Sequence, residues 1–306
     1  MLAAEQVRIV SPDMIRTEFK PIFILENIAD AAEIYGSRSP DGHPAALIVG
    51  NERRGVSREM LTRSDSIVQI PMASRTLNSL NVAASTAVAL YYLIGSGGGG
   101  FRVVSQPEKR RPGLLLLAPT EHVELGSSLR SAAAFGWSQV LVDDRHSVWF
   151  GVDRGARAEG RAAARRARNS IRVIPSSSEQ RRAFDRVVVV IPGPGGTPLS
   201  RAALANGPET LLVIPDSQGI DLESVDWERF GREVHFVTLD IPCRPVSSRY
   251  RLDVSIVLAE AARQIGRSRP KRDETRRRIR PRYDRSFRLL TPELGEVIDF
   301  NELERY

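Results

Sequence analysis

Cysteine is nearly absent from this chain, since Cys243 is the only one among 306 residues. A single thiol excludes an internal disulfide framework and a cysteine-cluster zinc site. The four histidines, His43, His122, His146 and His235, lie far apart and show no metal-ligand spacing. We therefore predict no metal site.

Long apolar runs are also absent. No stretch reaches the roughly 18 apolar residues that a membrane span needs. The beginning, Met1 to Ser11, lacks the basic start and long apolar core of a secretion signal. We expect a cytoplasmic protein with no membrane partner.

What the chain has in excess is positive charge, with 44 Lys and Arg residues against 37 Asp and Glu residues. The hydrophobic content of 42% and the charged content of 26% are ordinary for a globular protein. A sequence pI near 10.0 suits a polyanionic partner, and RNA is the one that we expect.

The most informative stretch runs from Ala46 to Leu93. An apolar run stops at Gly50, the loop that follows carries Glu52, and a second apolar run ends at Pro71-Met72. The pattern predicts strand, loop, short helix, strand, loop and helix, with Asn78-Ser79 capping the last helix. Two loops would leave the carboxyl ends of neighbouring strands, where an open α/β sheet binds its ligand. Before this stretch we also predict a helix over Ile28 to Tyr35.

The loop G-N-E-R-R-G-V-S, followed by I-P-M and S-L-N-V-A-A-S, resembles motifs 2 and 3 of the SpoU-type (TrmH-like) RNA 2′-O-ribose methyltransferases of the SPOUT superfamily. The resemblance implies a knotted (trefoil) α/β fold with a parallel sheet and S-adenosylmethionine as cofactor. It departs from the family in the second loop, which is one residue longer than usual and lacks a Gly.

The resemblance also implies roles for individual residues. The catalytic candidates are Glu52, Ser79 and Asn81, to which Arg130 is added below. The cofactor-binding candidates are Val49, Gly50, Asn51, Glu52, Gly55, Ile70, Pro71, Met72, Leu80 and Asn81.

The family's motif 1, N-x-G-x-x-x-R-x-A, is missing from the first hundred residues. A similar string, Glu124 to Ala132, follows the buried-type strand after Pro112. Glu124 stands where the family has Asn, and Arg130 matches the arginine that contributes to deprotonating or orienting the ribose hydroxyl. The alternative for Arg130 is a solvated helix arginine paired with an acid.

We therefore predict four segments. Residues 1–94 form a SPOUT-like unit with the cofactor pocket, 95–112 a Gly-rich and basic linker, 113–266 a diverged second unit, and 267–306 a basic arm. A long surface loop within one domain is the alternative to the linker. The end of the second unit, with strands over Thr210 to Pro215 and Val234 to Leu239, repeats the opening plan without its Glu and S-L-N.

Family members usually act as homodimers in which motifs 2 and 3 of one subunit face motif 1 of the other. Since this chain divides those motifs between two units, we expect an intrachain pseudo-dimer with one composite active site. Further homodimerisation stays open, as does an inactive SPOUT-fold RNA-binding protein.

RNA contacts are expected from two arginine-rich segments. The candidates are Arg154, Arg157, Arg161, Arg165, Arg166 and Arg168 before Arg172, and Arg276, Arg277 and Arg278 in the arm. Solvated or merely solubilising charge is the alternative for both. The sequence leaves open whether tRNA or rRNA is the substrate, and whether a ribose or a base is methylated.

Overall fold

The computed structural model describes residues 10–28, 30–40, 44–51, 54–73, 80–95, 111–151, 171–192, 195–205, 209–239 and 249–265. The strands within this part of the chain are parallel to their neighbours and form a four-stranded sheet and a seven-stranded sheet. This agrees with the parallel α/β architecture that the sequence predicts.

The first unit contains the smaller sheet. Its elements are α1 (Pro12–Glu18), β1 (Ile22–Leu25), β2 (Ala32–Glu33), a 3-10 helix (Ile34–Gly36), β3 (Ala46–Val49), α2 (Arg58–Arg63), β4 (Ser66–Gln69) and α3 (Val82–Ile94). Ser11 caps α1 and Ser57 caps α2, each by accepting a backbone N–H with its hydroxyl.

The predicted helix over Ile28 to Tyr35 is wrong. Ala32 and Glu33 instead pair with β4, and the Ala31 carbonyl accepts a hydrogen bond from the buried side chain of Gln69. A helix of this length has little stability of its own, so pairing with the neighbouring strand prevails.

The second unit contains the larger sheet. Its elements are β5 (Gly113–Leu117), α4 (His122–Ala134), β6 (Gln139–Asp143), β7 (Arg172–Pro175), α5 (Ser178–Arg182), β8 (Arg186–Ile191), β9 (Thr197–Pro198), β10 (Thr210–Pro215), β11 (Glu233–Thr238) and α6 (Tyr250–Ile265), with 3-10 helices at Leu199–Arg201, Leu222–Ser224 and Trp227–Arg229. The predicted strand Thr210 to Pro215 is confirmed, and the next one begins a residue earlier than predicted, at Glu233.

The smaller sheet has the same topology as one end of the larger sheet. The strand orders are β2-β4-β1-β3 and β9-β11-β8-β10. In each, a two-residue strand leads directly into a 3-10 helix. The registers of the paired strands also correspond. In the smaller sheet Ile24 pairs with Ile48 and Ile67, and Ala32 pairs with Val68. At the equivalent positions of the larger sheet Val189 pairs with Val213 and Phe236, and Thr197 pairs with Val237. The repeat seen in the sequence is therefore a repeat in structure.

The two units share one hydrophobic core. Its buried residues come from both sheets and include Val68 and Tyr92 of the first unit and Leu116 and Val257 of the second. Helix α6 packs against α4 in its own unit and against α3 of the first unit. Consequently α6 holds the two units together.

Candidate functional site

The loop after β3 is closed by two glycines. Asn51 and Gly55 exchange backbone hydrogen bonds of 3.2 and 2.8 Å, and Gly55 has a φ of 68°. A Cβ on Gly50 would lie 2.4 Å from the carbonyl carbon of Gly55, so no side chain fits there. The G-N-E-R-R-G spacing is thus required by the turn itself.

Glu26, which our sequence analysis did not select, holds this loop in place. It follows β1, and its carboxylate accepts the backbone N–H groups of Asn27 and Val56 at 3.2 and 3.1 Å. The only sequence signal is a carboxylate immediately after a buried strand. Glu26 therefore ties the ends of β1 and β3 together.

The second predicted loop leaves β4 beside the first one. Ile70 and Leu80 are 3% and 7% exposed, and Met72 packs against the core from a partly buried position. Helix α3 is capped by Asn81, whose side-chain oxygen accepts the Ala83 N–H at 2.9 Å, rather than by Asn78-Ser79 as predicted. The Asn81 oxygen is therefore engaged in the cap.

The structure thus brings most of the cofactor-binding candidates to one place. The carboxyl ends of the adjacent strands β1, β3 and β4 carry Val49, Gly50, Asn51, Gly55, Ile70, Pro71 and Met72, with Leu80 and Asn81 at the start of α3. Two catalytic candidates, Glu52 and Ser79, lie outside the described residues, as do all nine of the RNA-binding arginines predicted above.

The motif 1 string lies in α4, whose last turn touches the first unit. The Ala73 N–H, just beyond Met72, donates to the Ala134 carbonyl at 3.0 Å. Arg130 is partly buried one helical turn before Ala134. The helix that carries Arg130 therefore ends against the loop that follows β4.

Glu124, at the first position of that string, faces α6 instead. The residue is 5% exposed, and its carboxylate accepts the Arg251 backbone N–H at 2.9 Å and lies 3.2 Å from the Arg251 guanidinium. It stabilises the first turn of α6, where a negative charge is favourable. Replacement of the family's Asn by Glu thus serves helix packing.

Comparison with known proteins finds a family match in the first unit. Residues 13–91, which we call the SpoU segment, match the model of the SpoU rRNA Methylase family. The resemblance recognised in the sequence is therefore confirmed.

Two curated proteins are similar to parts of the chain. The 23S rRNA (guanosine(2553)-2′-O)-methyltransferase RlmP of Bacillus subtilis is 33% identical over 84 residues, which cover 24% of this chain and 34% of RlmP. An uncharacterized tRNA/rRNA methyltransferase of Archaeoglobus fulgidus is 42% identical over 50 residues, which cover 16% of this chain and 22% of that protein. The chain thus spans about a third or less of the length of these relatives.

Solved structures give more distant similarities. An AdoMet-bound rRNA methyltransferase from Sinorhizobium meliloti is 15% identical, with a TM-score of 0.41, over 68% of this chain and 75% of that one. The SpoU methyltransferase AviRb from Streptomyces viridochromogenes, solved with AdoMet, is 18% identical, with a TM-score of 0.38, over 52% and 62%. At these scores the comparison assigns neither a substrate nor site residues to this chain.

The counterpart of the SpoU segment's site in the second unit is filled by protein. At the carboxyl ends of β8, β10 and β11 lies the ring of Tyr250, whose hydroxyl donates to the Ile214 carbonyl at 2.8 Å. Burial, and then the nearby carboxylates Asp216 and Asp253, raise the pKa of Tyr250 well above its ordinary value. Asp216 is itself engaged with the backbone N–H and hydroxyl of Thr120. Among the described residues of the second unit, a cavity of only about 10 Å³ remains beside the ring at these strand ends.

Two negative findings complete the description. Among the described helices, none combines the length and the apolar character that crossing a membrane requires. Within the same part of the chain, no three His, Cys, Asp or Glu residues lie close enough together to hold a metal ion.

Proposed function

We propose that the chain is an S-adenosylmethionine-dependent RNA methyltransferase that methylates a ribose 2′-hydroxyl of tRNA or rRNA. The observation that carries this proposal is the meeting of two motif-bearing elements. The loop after β4, which belongs to the SpoU segment, is hydrogen-bonded to the end of α4, the helix of Arg130. The same contact supports a pseudo-dimer within the chain with one composite site.

The described residues of the SpoU segment fit this cofactor. Ile70 and Leu80 offer a buried apolar wall for a purine, and Met72 borders it. Gly50 and Gly55 carry no side chains, so polar atoms of the cofactor could approach the backbone at these two positions. S-adenosylmethionine would supply an electrophilic methyl group there. RlmP, which matches part of this chain, is named as a 2′-O-methyltransferase and supports the ribose as acceptor.

Arg130 has the role of stabilising the negative charge that develops on the ribose oxygen. A hydroxyl is a very weak acid, so its attack requires a base or a cation at the oxygen. Arg130 lies one turn from the α4 carbonyl that binds the loop, and it is only partly buried. Glu52, Ser79 and Asn81 complete the proposed reacting centre.

The test is methyl transfer from radiolabelled S-adenosylmethionine to total tRNA and rRNA from cells that lack the gene. Ribose methylation should appear as 2′-O-methylnucleosides after digestion, whereas methylated bases would refute the choice of ribose. Arg130→Ala should abolish transfer and spare cofactor binding. Arg145→Ala, which removes an exposed arginine just after β6 of the larger sheet, is the matched control. Full activity in Arg130→Ala would refute the composite site.

Stoichiometry tests the pseudo-dimer separately. Because Tyr250 fills the strand-end site of the second unit, calorimetry should find one S-adenosylmethionine per chain. Two bound molecules per chain would contradict the proposal.

The second candidate is an RNA-binding protein that kept the fold and lost catalysis. The burial of Glu124 against Arg251 favours it, because the first motif 1 position then serves packing rather than chemistry. Calorimetry distinguishes the two candidates as well. Absence of S-adenosylmethionine binding, together with retained RNA binding, would establish the second.

A further inference from the structure

Arg111 occupies the junction between the two units. It lies two residues before β5, and its Nε–H donates to the Phe135 carbonyl, just past the end of α4, at 2.9 Å. Its guanidinium carbon lies 5.6 Å from the ring centroid of Trp137. These two contacts hold the guanidinium against the end of α4.

The Nη end points toward the first unit. A Cβ built on Gly136, which has a φ of 91°, would lie 2.5 Å from Arg111 Nη2 and 2.7 Å from the Ala73 Cβ. The guanidinium and Ala73 therefore meet at the same glycine. Ala73 is the residue that bonds to α4 in the proposed composite site, so Arg111 borders that site.

The charge of Arg111 has no counter-ion within the described part of the chain. Its partners there are the Phe135 carbonyl and the Trp137 ring. Arg251 and Arg263, by contrast, pair with buried carboxylates. Burial lowers the pKa of Arg111, since part of its hydration is lost without an anion to replace it. A half-buried, fixed guanidinium with free Nη groups can bind an oxyanion through two parallel hydrogen bonds.

We propose that Arg111 binds a backbone phosphate of the RNA that enters the composite site. This inference rests on the proposed function, because it takes RNA to be the substrate. A phosphate is favoured over a small carboxylate because Arg111 ends the basic run Lys109-Arg110-Arg111, which suits a polyanion, and because its side chain is half-exposed. A contact with a backbone phosphate does not depend on the nucleotide sequence of the RNA.

RNA binding measured without any methyl transfer tests the proposal. The probe is a fluorescein-labelled RNA hairpin, titrated with the full chain by anisotropy between 50 and 200 mM salt. Arg111→Ala should weaken binding about tenfold at low salt, the loss expected for one charged hydrogen-bonded contact. It should also reduce the slope of log K against log salt by about 0.7 to 0.9, the amount for one phosphate. Arg111→Lys should keep the salt-dependence slope and lose part of the RNA affinity. Lysine keeps the charge but lacks the planar guanidinium that can donate two parallel hydrogen bonds.

Two controls make the result specific. Arg145→Ala removes the same charge from an exposed site beside Asp143, at the carboxyl edge of the larger sheet, and should change the slope much less. Urea unfolding midpoints verify that each variant folds, and Arg111→Lys covers the case in which Ala weakens the end of α4.

Equal slopes for wild type and Arg111→Ala would overturn the proposal, and so would equal losses in the Arg111 and Arg145 variants. If Arg111→Ala instead weakens S-adenosylmethionine binding and leaves RNA binding intact, the anion is the cofactor carboxylate and the proposal is wrong. An inactive wild-type chain with Arg111-dependent RNA binding would refute the proposed catalysis alone. An active chain with Arg111-independent RNA binding would refute this inference alone.

Discussion

Removal of the Glu260 carboxylate should destabilise both units at once. Glu260 lies on α6, is 0% exposed, and accepts the Tyr92 hydroxyl of α3 at 2.7 Å. It also accepts Arg263 Nε at 2.9 Å and Nη2 at 2.6 Å, and Gln264 Nε2 at 3.0 Å. One carboxylate thus satisfies donors from both of the packed helices.

The expected magnitude follows from what remains after the substitution. Glu260→Ala removes the carboxylate that pairs with the Arg263 guanidinium, whose side chain is only 9% exposed. Breaking a buried pair from one side costs about 3 to 5 kcal/mol of unfolding free energy. Tyr92→Phe removes one hydroxyl but keeps the ring against Tyr35 and Tyr91, so its cost is about 1.5 kcal/mol.

The matched control is a pair with the same sequence spacing at the surface. Arg229 and Asp226 are also three residues apart, but their side chains are 75% and 52% exposed. Asp226→Ala should change the unfolding free energy by less than about 1 kcal/mol, as exposed pairs do. The two substitutions should differ in their effect on the unfolding free energy because one ion pair is buried and the other is exposed.

Urea unfolding followed by two probes is the assay. All three tryptophans, Trp137, Trp149 and Trp227, lie in the second unit, so their fluorescence reports on that unit alone. Far-UV circular dichroism reports on both units. Coincident transitions are expected because the core and the Glu260 network are shared. A loss below 1 kcal/mol in Glu260→Ala, or separate transitions in the wild type, would refute this reasoning.

Two further predictions concern alkaline pH and the glycine turn. Burial raises the pKa of Tyr92 and of Tyr250, so their contribution to stability is complete below their unfolded pKa near 10 and is lost as pH rises above it. Unfolding free energy should fall by up to about 1.4 kcal/mol per pH unit for each residue between pH 10 and 12, and the double Phe variant should flatten that decline. Gly50→Ala places a Cβ 2.4 Å from the Gly55 carbonyl carbon and should weaken S-adenosylmethionine binding at least tenfold by calorimetry, whereas Gly36→Ala, with nothing within 4 Å, should leave it unchanged.

The sequence predicts the elements that depend on local pattern. The run over Arg186 to Ile191 is apolar and β-branched after its first residue, a pattern typical of a strand, and it forms β8. The glycine spacing around Asn51 predicts a tight turn for the same local reason. The helix over Ile28 to Tyr35 fails because a strand 36 residues later pairs with this segment, with Ala32 opposite Val68.

Contacts between distant residues could not be predicted in this way. Tyr92 and Glu260 are 168 positions apart, and nothing near either residue in the sequence indicates the other. The packing of Arg111 on Phe135 depends on how α4 returns to the start of β5, which only the fold determines. The candidate residues on the strand ends, and Arg130 on α4, could thus be selected from sequence motifs, whereas the contacts of Glu260 and Arg111 could not.

The repeated sheet explains why the two units are not interchangeable. Both copies have strand ends and a following helix in the same register, but among the described residues only the second unit adds β5, α4 and β6. The single α4 cannot serve both copies equally. Its first turn is tied to α6 through Glu124, and the backbone at its other end bonds to Ala73 of the SpoU segment. Since Tyr250 fills the strand ends of its own unit, the copy that α4 can complete is the one in the first unit. This asymmetry follows from the contacts of one helix, and it favours a single composite site over two equivalent ones.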